Sequence, residues 1–338
     1  MKYHGIQALR GFAALAVVFH HLDVLLAKPK YFGEGFLGSI AVSGFRGVDL
    51  FFVISGFIMM YTSHSNPNRT RLNFAENRLT RIFVPYLPIF LAMTMIYMVA
   101  PGIAQGGIEI NAKYMIQNLL LLPRQSLETY VPVVAWTLTF ELTFYILFAM
   151  TIFKAGRLAT VVFSAWMAVC ALNVWLEIPI MALAPLNLGF GIGVLSYHTS
   201  RRIPEVMNLP IFAVSSGVFL LLMVYGGDRV DNALVNFLFL LVSGIMCATS
   251  NGIPRNFLSR VGDFSYSLYL CHYPLLAFLF IVLFKFGVAG TLGPFGITLL
   301  SVIAVLALSW VYYTIIEVYL YGQLKRQIRR SQQPLGGR

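Results

Sequence analysis

The sequence predicts an all-α, polytopic membrane protein with about ten transmembrane helices and both termini in the cytoplasm. Composition is the first of three observations behind this prediction. Hydrophobic residues make up 58% of the 338 positions, charged residues make up 11%, and the mean hydropathy is +0.77. Soluble domains carry about 25% charged residues, so a soluble fold of this composition would lack the polar side chains to cover its surface. The other two observations are the length of the apolar runs and the distribution of basic residues between them.

The apolar runs are separated by glycine, proline and charged residues, and ten of them are candidate spans. A helix needs about 20 mostly apolar residues to cross a hydrocarbon core of ~30 Å. The candidates are residues 6–27, 46–62, 82–100, 132–152, 158–176, 180–197, 210–226, 233–250, 264–284 and 295–319. The stretch 113–122 is apolar but too short to cross, which indicates a re-entrant or interfacial segment.

The basic residues give the direction of insertion. With ten spans and cytoplasmic termini, sixteen of the 24 Lys and Arg residues fall in cytoplasmic segments, seven fall outside, and Arg10 lies within the first span. This bias follows the positive-inside rule. We therefore expect a multi-pass protein of the bacterial inner membrane, with a membrane domain over residues 1–322 and a basic cytoplasmic tail over 323–338. The tail is expected to lie against anionic membrane lipid or to be disordered.

Two features exclude other classes of function. The net charge of +11 does not indicate a nucleic-acid-binding protein, because the charges lie between apolar runs rather than in one stripe. The three cysteines, Cys170, Cys247 and Cys271, each fall inside an apolar run without the spacing of metal ligands. We therefore expect no nucleic-acid partner, no disulfide framework and no metal cofactor.

Ionisable side chains inside the spans are the candidate functional residues, because each costs ~2.5–3.5 kcal/mol to insert. In the first span, Arg10 and His21 are eleven residues apart, which places them on one helical face about 16 Å apart along the axis. One interpretation is a polar track with Arg10 near the cytoplasm and His21 deeper. The alternative is that Arg10 snorkels to the interface while His20 and His21 bond backbone carbonyls.

The fourth span carries Thr137, Glu141 and Tyr145 at positions i, i+4 and i+8, so the three side chains share a face. Glu141 is a candidate to accept a proton or to orient a histidine that does. The alternative is a protonated Glu141 that links two helices by hydrogen bonding.

The ninth span carries a second polar strip, formed by Ser265, Tyr269 and His272 and flanked by Tyr266. An aromatic-rich strip of this kind is either a binding surface or ordinary packing. In the second span, Ser55 precedes Gly56, a pair that permits a close helix contact or a kink.

Arg78 and Arg81 lie one helical turn apart, where the segment 63–81 leads into the third span. Two guanidinium groups at this spacing can form a fork for phosphate oxygens. The alternative is that both charges only set the topology.

Taken in order, these segments resemble those of the integral-membrane acyltransferase-3 family, whose members O-acylate saccharides. Two departures from the family pattern are threonine at positions 137 and 139, where serine is commoner, and Val318 after Glu317 in place of Lys/Arg-Pro. The stand-alone form most resembles exopolysaccharide O-acetyltransferases of the succinoglycan type. The matching segments are Leu9-Arg10-Gly11 through His21, Gly47 through Phe57, Arg78-x-x-Arg81-Ile-x-x-Pro85, Trp136 through Glu141, Ser265 through Pro274, and the late Glu317.

The resemblance implies acetyl-CoA as the donor and the hydroxyl of a saccharide or lipid-linked saccharide as the acceptor. On this hypothesis Arg78 and Arg81 bind the CoA phosphates, with Arg10 at the mouth of the bundle. His21, oriented or charge-balanced by Glu141, deprotonates the hydroxyl directly or after carrying the acetyl group itself. The residues expected to line the site or stabilise the oxyanion are Ser55, Tyr266, Tyr269 and His272.

Two other functions stay open when the residues are considered alone. Buried histidine and glutamate also form proton relays, so a proton-coupled transporter is one alternative. A flippase for polysaccharide lipids is another. Neither alternative needs CoA, which makes donor chemistry the discriminating property.

Overall fold

A computed structural model describes residues 3–66, 70–100, 111–124, 126–152, 157–227 and 229–331. Within these ranges the chain is helical and contains no strand. A π-helical segment, Tyr313–Leu320, joins the last two helices. The helices are α1 (His4–Leu26), α2 (Gly38–Val42), α3 (Gly47–His64), α4 (Arg71–Val99), α5 (Ala112–Leu119), α6 (Trp136–Ile152), α7 (Arg157–Leu176), α8 (Leu188–Ser200), α9 (Glu205–Tyr225), α10 (Ala233–Thr249), α11 (Phe257–Asp263), α12 (Ser265–Lys285), α13 (Val288–Tyr312) and α14 (Tyr321–Ser331).

Eight helical stretches in the described part of the chain are long and apolar enough to cross a membrane, which confirms the polytopic all-α fold. The other two predicted spans, 180–197 and 233–250, form the shorter helices α8, with 13 residues, and α10, with 17. Helix α8 starts late because Pro185 cannot donate a backbone hydrogen bond and short 3₁₀ turns occupy the residues before Leu188. Both short helices pack inside the bundle, against each other and against α3.

The helices form an inner group and an outer group. The buried share of the most apolar 18 residues differs between the stretches. It is 72% in the stretch that ends with α3 and 56% in α1, but 11% in α7 and 17% in the stretch from α13 onward. Helix α1 contacts α3, α11 and α12. The ionisable residues of the first span therefore lie on an inner helix, where protein rather than hydrocarbon surrounds them.

Glycines allow the inner helices to approach at backbone distance. A Cβ atom on Gly193 of α8 would lie 2.0 Å from the carbonyl oxygen of Val53 on α3, and one on Gly56 of α3 would lie 2.1 Å from the carbonyl oxygen of Phe190. Of the two interpretations of Ser55-Gly56, the structure therefore has the close helix contact. Similarly, a Cβ on Gly11 of α1 would lie 2.0 Å from the carbonyl oxygen of Leu258 on α11.

The short helix α5 occupies the stretch predicted to be re-entrant or interfacial. Its anchor is the fully buried Asn118, whose Oδ1 accepts a hydrogen bond from the Val131 N–H at 2.9 Å. The carbonyl of Asn118 accepts from the Tyr86 hydroxyl of α4 at 2.8 Å. With eight residues, α5 is too short to span a bilayer and instead packs on α4.

Part of the predicted basic tail, 323–338, is helical, because α14 continues to Ser331. Residues 332–338 lie outside the described part of the chain. Four of the basic residues used for the orientation, Lys2, Arg69, Lys154 and Arg338, are also outside it. Cys170, Cys247 and Cys271 are all buried and form no disulfide.

The α3–α8 contact yields a stability prediction. Substituting Gly193→Ala forces the Val53 backbone away from α8, which we expect to cost about 1–3 kcal/mol because the obstructing atom belongs to a helix rather than to a flexible side chain. The matched control is Gly217→Ala, where a Cβ meets nothing within 4 Å. The measurement is the thermal unfolding midpoint in detergent. Equal midpoints for the two variants would contradict the packing described here.

Candidate active site

A cavity lies in the half of the bundle where α1, α4 and α12 begin. Its empty volume, counted out to the mouth and including open solvent, is about 770 Å³. Helices α1, α3, α4, α6 and α12 all contribute to its wall. Its polar lining residues are Arg10, Ser55, Arg78, Arg81, Thr137, Glu141, Tyr145, Ser265, Tyr266 and Tyr269. The cavity therefore brings together seven of the nine predicted site residues, all except His21 and His272.

Three guanidinium groups face this cavity with little protein to neutralise them. Arg78 is 7% exposed, donates from Nη2 to Thr62 Oγ1 at 3.1 Å, and has no partner for its buried Nε among the described residues. Arg10 bonds only Gln7, at 3.3 Å, and Arg81 has no hydrogen-bond partner in the same ranges. Among the described residues, Glu141 is the one carboxylate in the lining, and Glu317 is a second carboxylate close enough to act on Arg10 and Arg81. Three guanidinium groups still exceed these two carboxylates, so the cavity carries excess positive charge and is suited to an anionic ligand.

The Arg78 guanidinium is held in place by aromatic rings. Its central carbon lies 5.8 Å from the ring centroid of Phe74 and 5.5 Å from that of Tyr145, distances typical of cation–π contacts. Both rings are buried. These contacts fix the guanidinium before any ligand arrives, which lowers the ordering cost of binding.

Glu141, on α6, lies in a network of hydroxyl groups in the cavity wall. Its Oε1 accepts from Ser55 Oγ at 3.2 Å and from the hydroxyl of Tyr145, one turn further along α6. Thr137, one turn before it, donates from Oγ1 to the Tyr269 hydroxyl at 3.1 Å. The predicted face of α6 thus points into the cavity and connects α3 with α12.

The two mid-span histidines form a pair outside the cavity lining. His272 Nε2 lies 3.1 Å from His21 Nδ1, and the ring centroids are 5.0 Å apart. His272 is fully buried, whereas His21 is partly accessible. His20 turns away, with its Nδ1 2.8 Å from the carbonyl oxygen of Val42. From Arg10 to His21 the distance along α1 is about 16 Å, so the pair lies at a different depth from the arginines.

Tyr269 connects the cavity with the histidine pair. Tyr269 lines the cavity, its ring centroid lies 5.7 Å from that of His272, and its carbonyl oxygen is 2.7 Å from His272 Nδ1. The ring of Phe51 packs edge-on against it at 5.6 Å. The polar strip on α12 is therefore continuous from the arginines to the histidines. Tyr266, one turn earlier, lines the cavity and donates to the Ile82 carbonyl at 3.0 Å.

The predicted pairing of Glu141 with His21 is not among the hydrogen bonds of the described residues. Glu141 was expected to orient or charge-balance His21, but its described hydrogen bonds go to Ser55 and Tyr145, near the arginines. The described partners of His21 are the Val17 carbonyl and His272. Helical spacing gives the face of α6 on which Glu141 lies, but it does not specify which helix that face meets.

Two further carboxylates have structural partners. Asp49 forms an ion pair with Arg46 at 3.2 Å, and both side chains are buried. Glu317, in the π-helical segment, accepts from both the backbone N–H, at 3.1 Å, and the hydroxyl of Ser267. That N–H is one of the four at the start of α12 that have no partner within the helix, so Glu317 caps α12 from another element.

Sequence reasoning missed Thr62 and Ser267 as partners of site residues, and it missed the pairing of the two predicted histidines. Thr62 holds Arg78, Ser267 binds Glu317, and His272 binds His21 across a separation of 251 residues. The rarity of histidine within the spans was an available signal for the last pair. Within the described ranges, no three His, Cys, Asp or Glu side chains come together as metal ligands would.

Comparisons with known proteins agree with this architecture. The acyltransferase-domain family model matches residues 3–314. The chain is 30% identical over 304 residues to the exopolysaccharide production protein ExoZ of Rhizobium meliloti, across 85% of this chain and 90% of that protein. It is 26% identical over 325 residues to the O-acetyltransferase OatA of Staphylococcus aureus, across 81% of this chain and half of OatA. No solved structure matches.

The chain therefore belongs to the acyltransferase family, as a polytopic membrane protein whose inner helices enclose a basic cavity and a histidine pair. The resemblance found from the sequence motifs is confirmed. The protein is an enzyme, a membrane-embedded O-acetyltransferase.

The cap on α12 yields a second prediction. Substituting Glu317→Ala leaves the Ser267 N–H without an acceptor and should cost about 0.5–2 kcal/mol, as the loss of a helix cap does. Glu317→Gln keeps an acceptor oxygen and should retain most of that stability. Thermal unfolding midpoints in detergent compare the two. A wild-type midpoint for the alanine variant would show that the cap contributes nothing.

Proposed function

We propose that this enzyme transfers an acetyl group from cytoplasmic acetyl-CoA to a hydroxyl of a saccharide, an exopolysaccharide or other cell-surface glycan precursor, at the bacterial inner membrane. The observation that carries the proposal is the cavity in which Arg10, Arg78 and Arg81 outnumber one carboxylate. The proposal divides into a donor site, a catalytic base and an acceptor.

The donor site is argued from charge and geometry. Guanidinium groups bind phosphate oxygens by paired, charge-assisted hydrogen bonds. Arg81 has no hydrogen-bond partner in the described part of the chain, and the Nε of Arg78 is likewise unpaired, so both have donors to offer. The cavity lies in the half of the bundle that contains the end of α1 assigned to the cytoplasm by the positive-inside bias, where CoA is available. Arg10 lines the same cavity from α1, the helix that also carries His21.

Glu141 has a different role in this proposal from the one expected from the sequence. Its carboxylate holds the hydroxyls of Ser55 and Tyr145 and offsets part of the arginine charge. An unliganded cavity with three uncompensated guanidinium groups would be costly in a low-dielectric interior. Glu141 therefore keeps the empty site stable and leaves a net positive charge for the phosphates.

The catalytic base is His21. The polar strip that includes Tyr269 leads from the arginines to the histidine pair, and in this proposal the pantetheine arm of CoA follows that strip. In the reaction, the acceptor oxygen bonds to the acetyl carbon and the thioester C–S bond breaks. The hydroxyl proton moves to His21 and is then returned to the CoA thiolate, so the imidazole is regenerated. If His21 first carries the acetyl group, the ring nitrogen that would otherwise take the proton bonds to the acetyl carbon as the thioester C–S bond breaks.

The acceptor class is supported by the relatives. ExoZ is described as an exopolysaccharide production protein and OatA as an O-acetyltransferase. A saccharide hydroxyl is a poor nucleophile at neutral pH, so a base beside it is required. The partial accessibility of His21 leaves room for an acceptor at that end of the track.

The donor half of the proposal is tested by binding. Arg78→Ala and Arg81→Ala each remove charge-assisted hydrogen bonds worth about 1.5–3 kcal/mol, so the Kd for CoA should rise roughly tenfold to 100-fold for each. Isothermal titration of the detergent-purified protein measures this. The matched control is Arg255→Ala, because that guanidinium pairs with Asp263 at the exposed surface, and its Kd should equal that of the wild type. An unchanged Kd for CoA in the two cavity variants would show that the CoA phosphates do not bind at this site.

The catalytic half is tested by His21→Ala. We expect this variant to bind acetyl-CoA as tightly as the wild type while the rate of CoA thiol release falls by about 100-fold or more, because general-base catalysis contributes 10²–10⁴-fold. His198→Ala, at the end of α8, controls for the loss of an imidazole elsewhere. Full transfer by the His21 variant would mean that another group is the base.

A further inference from the structure

The hydrogen bonds of His272 determine which of its ring nitrogens carries the hydrogen. Its Nδ1 lies 2.7 Å from the carbonyl oxygen of Tyr269 and 3.2 Å from that of Leu268. A carbonyl oxygen can only accept, so Nδ1 must be the donor. In a neutral ring the other nitrogen, Nε2, then has a free lone pair.

That lone pair faces His21. The Nδ1 atom of His21 lies 3.1 Å from His272 Nε2 and 3.0 Å from the carbonyl oxygen of Val17. Both neighbours are acceptors, so both require the hydrogen of His21 to be on Nδ1. The lone pair of His21 is then on Nε2, which has no partner among the described residues.

We propose that His272 is the positioning residue of the reaction: its Nε2 holds His21 in the tautomer and ring orientation that present the His21 Nε2 lone pair to the reacting groups. This inference rests on the proposed function, in which His21 is the base. The arrangement parallels a triad in which a third group orients the catalytic imidazole, with a neutral imidazole in place of a carboxylate.

A neutral partner suits this depth in the membrane. When His21 Nε2 takes the hydroxyl proton, the positive charge is shared through the His21 Nδ1–H to His272 and onward to the carbonyls of Tyr269 and Leu268. A carboxylate in the same position would be a charge with no counter-ion before each turnover, which is costly in a dry interior. This difference accounts for a histidine, rather than Glu141, as the partner of His21.

The surroundings of the pair leave its hydrogen bond intact. The ring of His20 is 5.2 Å from that of His21, in an edge-on arrangement, and its Nδ1 is engaged by Val42. The ring of Tyr273 lies 5.1 Å from the His21 ring on another side. Both of these contacts are between ring edges and faces. The acceptors for the His21 Nδ1–H among the described residues are therefore His272 Nε2 and the Val17 carbonyl oxygen.

The test compares two substitutions at position 272. His272→Gln supplies an amide oxygen that can accept from His21 Nδ1, so kcat should stay within about fivefold of the wild type. His272→Leu fills the space without an acceptor, and kcat should fall by about 100-fold while KM for acetyl-CoA is unchanged, because the base is present but wrongly oriented. His20→Gln serves as the control and should keep the wild-type kcat. Equal rates for His272→Leu and wild type, or equal losses for the glutamine and leucine variants, would overturn the proposal.

A spectroscopic measurement tests the same point without turnover and without a variant at position 272. Nitrogen-15 NMR of the histidine-labelled protein in detergent distinguishes a protonated from an unprotonated ring nitrogen, and a His21→Gln sample identifies the His21 signals by difference. We expect His21 in the wild type to have hydrogen on Nδ1 and a bare Nε2. The opposite tautomer would overturn the positioning role. This measurement does not depend on activity, so it tests the tautomer of His21 even if the proposed reaction is wrong. A failure of the proposed reaction is detected separately, by full transfer in the His21→Ala variant.

Discussion

The absence of a hydrogen-bonding solvent around the bundle is the constraint on which the rest of this structure depends. Hydrocarbon cannot satisfy a guanidinium, a carboxylate or an imidazole, so each such group within the spans has to be enclosed by protein, with its partner either in the protein or in a bound ligand. The glycine contacts of α1 with α11 and of α3 with α8 make this possible, because they bring backbones together and enclose the polar side chains. Helix α1 carries both Arg10 and His21, so the helical rise fixes the distance between Arg10 and the base, and the packing of α1 against α3 and α12 places both next to the other site residues.

Two kinds of electrostatic environment result from this enclosure. In the cavity, positive charge exceeds negative charge and some guanidinium donors stay unpaired, which makes the cavity a site for an anion rather than a closed ion-pair network. At the histidine pair, the polar groups are neutral and satisfy one another, which leaves one ring nitrogen available. An acyl donor with a charged head and an uncharged reactive end matches this order of environments along α1.

Much of the fold could be predicted from the sequence, because apolar runs between breaks translate directly into helices. The exceptions have local causes: Pro185 delays the start of α8, and α10 is three residues short of the usual span. Helical spacing also predicted the polar face of α6. It could not predict that Glu141 meets Ser55, or that His21 meets His272, because those contacts depend on how separate helices rotate and pack.

The most direct test of the account is a cryo-electron-microscopy structure of the full chain with an unreactive thioether analogue of acetyl-CoA. The account predicts the CoA phosphates within hydrogen-bonding distance of Arg78 and Arg81, with the acyl end on the Nε2 side of His21. Phosphates bound outside the arginine cavity, or an acyl end remote from His21, would contradict it.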